Sequence, residues 1–286
     1  MKKNKIKDRR PPALKDEHMP KDFSIALKAY GGGGTTKSLN PNPKKLKYQS
    51  MKGFETEYKN IIDYIVRITY RIWEDKNIGY IYDTYSEDCR VWDEFGLQFG
   101  SEKIVADTVH TNNAFPDIRL FADEVIWAGD EKNSFHTSHR TIITGKNTGY
   151  SKFSPPTGKS VRLLCIANCV AKNNEIYYEN VVYDTVTLIK QLGLNVNEIA
   201  REIANQGNVG PFAPDFKSSK PKRKISKSKN LEFEIPNKIS NIRDFSKAVF
   251  NTIWNRRDFS AIDKVYSDNI IFEGSTERNF KGKKQL

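Results

Sequence analysis

Long apolar runs are absent from this chain of 286 residues. None approaches the roughly 18 apolar residues in a row that read as a membrane-spanning helix. The charged N-terminus has no apolar core behind it, so it does not read as a signal peptide. Cysteine is scarce: Cys89, Cys165 and Cys169 make an odd count, without the spacing of a zinc site or a disulfide framework. Cys165 and Cys169 stand four apart in a predicted strand and share a face, which suits small apolar packing in a reducing cytoplasm. The four glycines 31–34 lack the preceding strand and following helix of a phosphate-binding loop, so they predict no nucleotide site. What is present is core material, with 37% hydrophobic residues, 16 Phe and 13 Tyr.

The net charge of +12 is unevenly spread. Residues 1–52 hold 14 basic and 4 acidic side chains and residues 213–238 hold 8 and 3, whereas residues 53–212 hold 16 and 22. The dense part is acidic, and the basicity lies in a tail and a linker. A nucleic-acid reader places its charge on a folded face with aromatics for stacking. Solvated, flexible segments are the simpler reading. Weak electrostatic contact of those segments with polyanions such as RNA is the corresponding partner expectation.

Lysine, proline, "GGGG" and "NPNPKK" make residues 1–52 a basic tail expected to be mostly disordered, and residues 213–238 a basic linker. Residues 53–212 form the predicted domain. From Phe54 to Lys76, apolar side chains at Phe54, Tyr58, Ile61, Ile62, Ile65, Ile68, Ile72 and Trp73 recur at helical spacing, with Tyr64 and Tyr70 off the stripe. A short helix is predicted around 78–85, two short strands near 89–92 and 97–99, and a helix capped by Ser101 and stopped before Pro116. The period then changes to that of strands, at about 118–128, 133–144, 160–171 and 175–184. A helix over 185–192 ends at Gly193. This order predicts an α+β fold, one curved antiparallel sheet wrapping a helix. A parallel α/β fold would need helices between those strands.

"RIWEDKNIGYIYDTYSED" (71–88) matches "TIWNRRDFSAIDKVYSDN" (252–269), with Trp73 on Trp254 and Tyr85 on Tyr266 at one offset. A second copy of the domain is therefore expected over 239–286, incomplete because it stops before its long strands.

Trp73 and Tyr85, then "FPD" (115–117), "RTIITGKNTG" (140–149), "PPTGK" (155–159) and "NEIYYENVVYDTVTLIKQLG" (174–193) form an ordered series. It resembles the SnoaL-like polyketide cyclase and ester cyclase family, within the nuclear transport factor 2-like superfamily. The resemblance covers roughly residues 54–195. It implies a cone of curved antiparallel sheet closed by helices, with a pocket inside and commonly a homodimer through the outer sheet face. It implies a small hydrophobic molecule as ligand and no metal or organic cofactor. The chain departs from the family at 145–149, where a usual histidine is missing, and in "YYENVVYD", which lacks a tryptophan.

Strict alternation puts Ile176, Tyr178, Asn180, Val182 and Asp184 on one face of the last strand, and Tyr177, Glu179, Val181 and Tyr183 on the other. If the first set lines the cone, burial raises the Asp184 carboxyl into the range of acid–base work. In the enzymes this chain resembles, an aspartate there takes a proton from carbon beside a carbonyl, and the enolate closes a ring. Asp184 equally stands where a helix cap belongs. In "FHTSHR" (135–140), His136, Ser138 and Arg140 share one strand face and His139 lies on the other, so one histidine faces the pocket and can polarise an oxygen. Two histidines three apart on a strand point in opposite directions, so no metal site is expected. Arg140 is suited to bind an anionic group. Trp73, Trp92, Asn168, Tyr178 and Asn180 are the other candidate substrate contacts. The expectation is a cytoplasmic, cofactor-independent acid–base enzyme (cyclase, isomerase or hydrolase type) on a small hydrophobic carbonyl compound. The alternative is a non-catalytic ligand-binding or dimerising module of the same fold.

Overall fold

The computed structural model describes residues 11, 13–21, 24–206, 235, 238–276 and 278–286. The chain divides into two units at Pro214–Asp215. In the first, strand β1 (Leu27–Lys28) and helix α1 (Gly34–Leu39) precede the long helix α2 (Ile61–Trp73). A 3-10 turn and α3 (Ile81–Thr84) lead into the hairpin β2 (Tyr85–Asp93) and β3 (Gly96–Phe99). Helix α4 (Ser101–Ala114) follows, then β4 (Arg119–Asp130), β5 (Ser134–Lys146), β6 (Ser160–Lys172) and β7 (Glu175–Tyr183), closed by α5 (Thr185–Gln191) and α6 (Val196–Gln206).

The strands form one sheet in the order β1-β4-β5-β6-β7-β2-β3. Every pair is antiparallel except β2–β7, which is parallel. The α+β class is as expected, but the sheet is mixed. The hairpin β2–β3 lies beside the last strand of the meander, and there the two chain directions coincide.

Helix α2 is shorter than its apolar stripe. The Asn60 side chain accepts from the Asp63 N–H at 2.9 Å and starts the helix at Ile61. Phe54 and Tyr58 precede the helix yet lie in the core. Both pack edge-on against the ring of Tyr64, with centroids 4.9 and 5.1 Å away. Tyr64, expected off the stripe, is 0% exposed because those rings cover it, and its hydroxyl donates to the Asn174 carbonyl at 2.8 Å. At α4 the cap is Gly100, with φ +87°, and Ser101 is the first helical residue.

The segment before α2 differs most from expectation. Residues 24–52, expected to be disordered, are built into the first unit. Leu27 pairs with Val125, and Leu27 and Ala29 belong to the core. The Ala29 N–H donates to the Asp123 carbonyl at 2.6 Å, and the Ala122 N–H donates to Thr35 Oγ1 at 2.8 Å. "GGGG" makes this approach possible. A Cβ on Gly34 would meet the Ala122 carbonyl oxygen at 2.5 Å, and one on Gly32 would meet Phe121 Cβ at 2.8 Å. The result covers what would otherwise be a free sheet edge at β4. Most of the expected linker, residues 213–238, falls outside the described residues.

The second unit contains α7 (Ile242–Val249), a π turn over Phe250–Asn255, a 3-10 turn, α8 (Ile262–Val265) and the hairpin β8 (Ile271–Glu273) and β9 (Asn279–Lys281). Its small core is Val249, Ile253 and Ala261. Asn241 caps α7 by accepting from the Asp244 N–H at 3.2 Å, as Asn60 does for Asp63. Lys76 and Arg257 both take φ +60°. The 3-10 turns Ile78–Tyr80 and Phe259–Ala261 lead directly into α3 and α8. The Gly100 N–H donates to the Cys89 carbonyl, and the Gly282 N–H to the Ile270 carbonyl. Among the described residues no helix is long and apolar enough to cross a membrane.

Candidate active site

A bulge in β7 decides which side chains face inward. Ile176 pairs with Ala171, but Tyr178 pairs with Val170, so Tyr177 is an extra residue opposite no partner. One inserted residue reverses the alternation beyond it. Glu179, Val181 and Tyr183 therefore face inward with Ile176, while Tyr178, Asn180 and Val182 lie on the other face. On β6, Cys165, Ala167 and Cys169 face inward, so the two cysteines do share a face.

The inner face of the sheet, with α2, α4 and the loops after β2 and β5, bounds a cavity of about 230 Å³. Its wall is largely aliphatic and aromatic, including Ile65, Ile68, Ile72 and Trp73 from α2 and Val91, Phe115 and Phe153 beyond it. Into this wall are set Glu179, Tyr85, His139 and His110.

Glu179 is buried, 7% exposed. The Tyr85 hydroxyl donates to its Oε2 at 3.0 Å, and its cross-strand partner Cys169 hydrogen-bonds it through the thiol. Burial pushes the Glu179 carboxyl up to about 7, against the opposing pull of those two hydrogen bonds. Burial likewise pushes the Tyr85 hydroxyl and the Cys169 thiol well above their ordinary values, so both stay protonated donors. His139, 2% exposed, is pushed down by burial to about 4 and is neutral near pH 7. Its Nε2 is shielded and has no hydrogen-bond partner, and the same holds for Nε2 of His110 on α4.

Of the residues singled out in the sequence, His139 and Trp73 line the cavity. Asp184 does not. It caps α5, accepting from the Thr187 N–H at 3.3 Å and from Thr187 Oγ1 at 2.7 Å. The bulge at Tyr177 is the physical reason, since it turns the Asp184 side of the strand outward. His136 is half-buried on the outer face, opposite Ala128 and Val170. Arg140 is also on the outer face, where it pairs with Asp123 and lies over the Tyr30 ring, 5.5 Å from its centroid. Trp92 and Asn180 are paired outer-face residues, Tyr178 lies beside them, and Asn168 is exposed. Among the described residues no group of His, Cys, Asp or Glu has the arrangement of a metal site. Glu179 and Tyr85 escaped the sequence reading because periodicity alone assigned Glu179 to the solvent side. The available signal was the pair Cys165 and Cys169, whose inward face fixes the inward face of β7 once the bulge is known.

No family model matches the chain, and no curated protein does. Solved structures do. A protein assigned as a SnoaL-like polyketide cyclase, from Jannaschia sp. CCS1, is 16% identical, with 51% of this chain and 99% of that chain covered and a TM-score of 0.44. TsrD from Streptomyces laurentii is 15% identical over 49% of this chain and 100% of that chain, with a TM-score of 0.43. A SnoaL-like polyketide cyclase from Agrobacterium tumefaciens str. C58 is 16% identical over 48% of this chain and 100% of that chain, with a TM-score of 0.39.

Proposed function

We propose that the first unit is a cofactor-independent acid–base enzyme acting on a small hydrophobic carbonyl compound, with Glu179 as the group that moves the proton. The single observation that carries this reading is a buried carboxyl, held near neutrality by its apolar surroundings, on the wall of a cavity. Glu179 takes the proton from carbon next to the carbonyl, and the electron pair of that C–H bond passes to the carbonyl oxygen as an enolate. The neutral His139 imidazole carries one N–H and is placed to donate it to that oxygen. Tyr85 positions the carboxyl. The enolate then takes that proton back from Glu179 at another carbon, or attacks a second carbonyl of the same molecule, whose oxygen takes the proton from Glu179; either way the carboxylate is restored.

Hydrogen–deuterium exchange at the α-carbon of 2-tetralone, followed by proton NMR, tests this without knowing the natural substrate. The full chain is expected to accelerate exchange, with a rate that rises with pH through about 7 as Glu179 ionises. Glu179→Gln is expected to lose roughly a hundredfold or more, and Asp184→Asn to keep the rate. An unchanged rate in Glu179→Gln rules out the assignment. Retention of a small molecule with no exchange by the unaltered chain favours the ligand-binding module instead.

We also infer that residues 239–286 are a partial copy of the first unit's α2–β3 region. In its support, Asn60 and Asn241, Lys76 and Arg257, and the turns at 78–80 and 259–261 stand at one constant offset and share caps, backbone angles and hydrogen bonds.

A further inference from the structure

The walls of the cavity constrain its ligand in size, charge and polarity. An apolar cavity of about 150 Å³ accepts benzene, and drug-sized ligands occupy roughly 300–1,000 Å³. The cavity here, about 230 Å³, has room for one ring or two fused rings and not for a three- or four-ring skeleton. Its lining carries Asp93, Glu94, Asp107 and Glu179 against a single lysine, Lys152. Asp107 is paired with Lys103, and Lys152 lies 4.6 Å from the centroid of the Phe95 ring, so the remaining carboxyls Asp93, Glu94 and Glu179 outnumber the one cation among the described lining residues. Such a wall repels a carboxylate or phosphate. Finally, two ring nitrogens, Nε2 of His139 on β5 and Nε2 of His110 on α4, are shut off from water with nothing to bond. Leaving a polar atom so placed is costly, and a ligand toward which the ring turns recovers that cost.

We infer that the cavity takes an uncharged mono- or bicyclic compound bearing two oxygen functions, one met from β5 by His139 and the other met from α4 by His110. This deepens the acid–base reading and rests on it only for which wall faces the reacting carbonyl. His110 here is a specificity residue that reads the second oxygen of the ligand.

Calorimetric binding to the full chain near neutral pH tests it with 2-naphthol, 2,6-dihydroxynaphthalene, 2-naphthoate and 1-hydroxypyrene. The two naphthols are expected to bind saturably, and the second hydroxyl to tighten binding roughly three- to tenfold. His110→Phe removes that gain, read as the ratio of the two naphthols' affinities in the same protein; His110→Gln, which keeps a side-chain N–H, restores part of it. 2-Naphthoate is expected to bind roughly tenfold more weakly or worse, and 1-hydroxypyrene not to saturate. The inference is overturned if the naphthoate or the hydroxypyrene binds as tightly as 2-naphthol, if neither naphthol binds, or if the gain survives His110→Phe. Naphthol binding without exchange of 2-tetralone sinks the acid–base reading alone. Exchange together with naphthoate bound as well as naphthol sinks this one alone.

Discussion

The Tyr85 hydroxyl reaches across from β2 to donate to Glu179 on β7 at 3.0 Å, joining the sheet's one parallel strand pair from inside the cavity. Both partners are pushed toward their protonated forms by burial. The pair is therefore a neutral hydrogen-bonded unit below about pH 7 and a buried charge above it.

That charge has a consequence for stability. Glu179 is raised from its ordinary 4.5 to about 7, so the folded state favours the protonated form. Its contribution is present in full below pH 4.5 and is lost as pH rises through about 7, a change on the order of 3 kcal/mol. Glu179→Gln should match the unaltered chain in Tm near pH 4.5 and exceed it at pH 8.5. Parallel Tm-against-pH curves for the two proteins would refute the buried ionisation.

His139 acts in the opposite direction. Burial lowers it from 6.5 to about 4, so the unfolded chain takes up a proton that the folded one refuses. Stability should fall as pH drops from 6.5 toward 4, again by an amount on the order of 3 kcal/mol. Denaturant unfolding of His139→Leu between those limits should lack that slope. A slope as steep as in the unaltered chain would place the acid sensitivity elsewhere.

Asp184 is a cap here, and its variants should behave as cap variants. Asp184→Asn keeps an accepting oxygen and should be nearly silent, whereas Asp184→Ala should cost about 1 kcal/mol. Ligand affinity should be the same in all three proteins. A large loss of affinity in a folded Asp184→Asn chain would contradict its placement.

Asp123 is 1% exposed, pairs with Arg140 and accepts from the Gly32 N–H at 3.1 Å. Its removal takes the buried carboxylate away from both partners at the edge of β4. Asp123→Ala should destabilise the first unit by about 3–5 kcal/mol and open residues 24–45 to proteolysis before the strands are cut. Equal resistance of that segment in both proteins would show that the β1 and α1 contacts hold without the pair.

Much of the architecture could be read from residue periodicity, because burial on one face imposes it. The stripe of Ile61, Ile65, Ile68 and Ile72 announced a helix against a sheet, and the segments after Pro116 announced four long strands. Asp184 was legible as a cap, since an aspartate ahead of a helix has a local role that needs no tertiary context. The N-terminal segment was not. Its lysines, glycines and prolines describe a chain that buries little, and its order comes from a neighbour distant in sequence, the edge of β4.

The sequence by itself determined the elements between Ile61 and Gln191, their order, the α+β class and the shared face of Cys165 and Cys169, all of which follow from local preference and alternation. Only the tertiary structure decided which carboxyl enters the cavity. Side chains alternate along a strand with a period of two, so one extra residue at Tyr177 exchanges the two faces of everything after it. That insertion brings Glu179 against Tyr85 and turns Asp184 away. No glycine or proline marks it, because the bulge arises from how β7 must pair with β6, not from the residues within it.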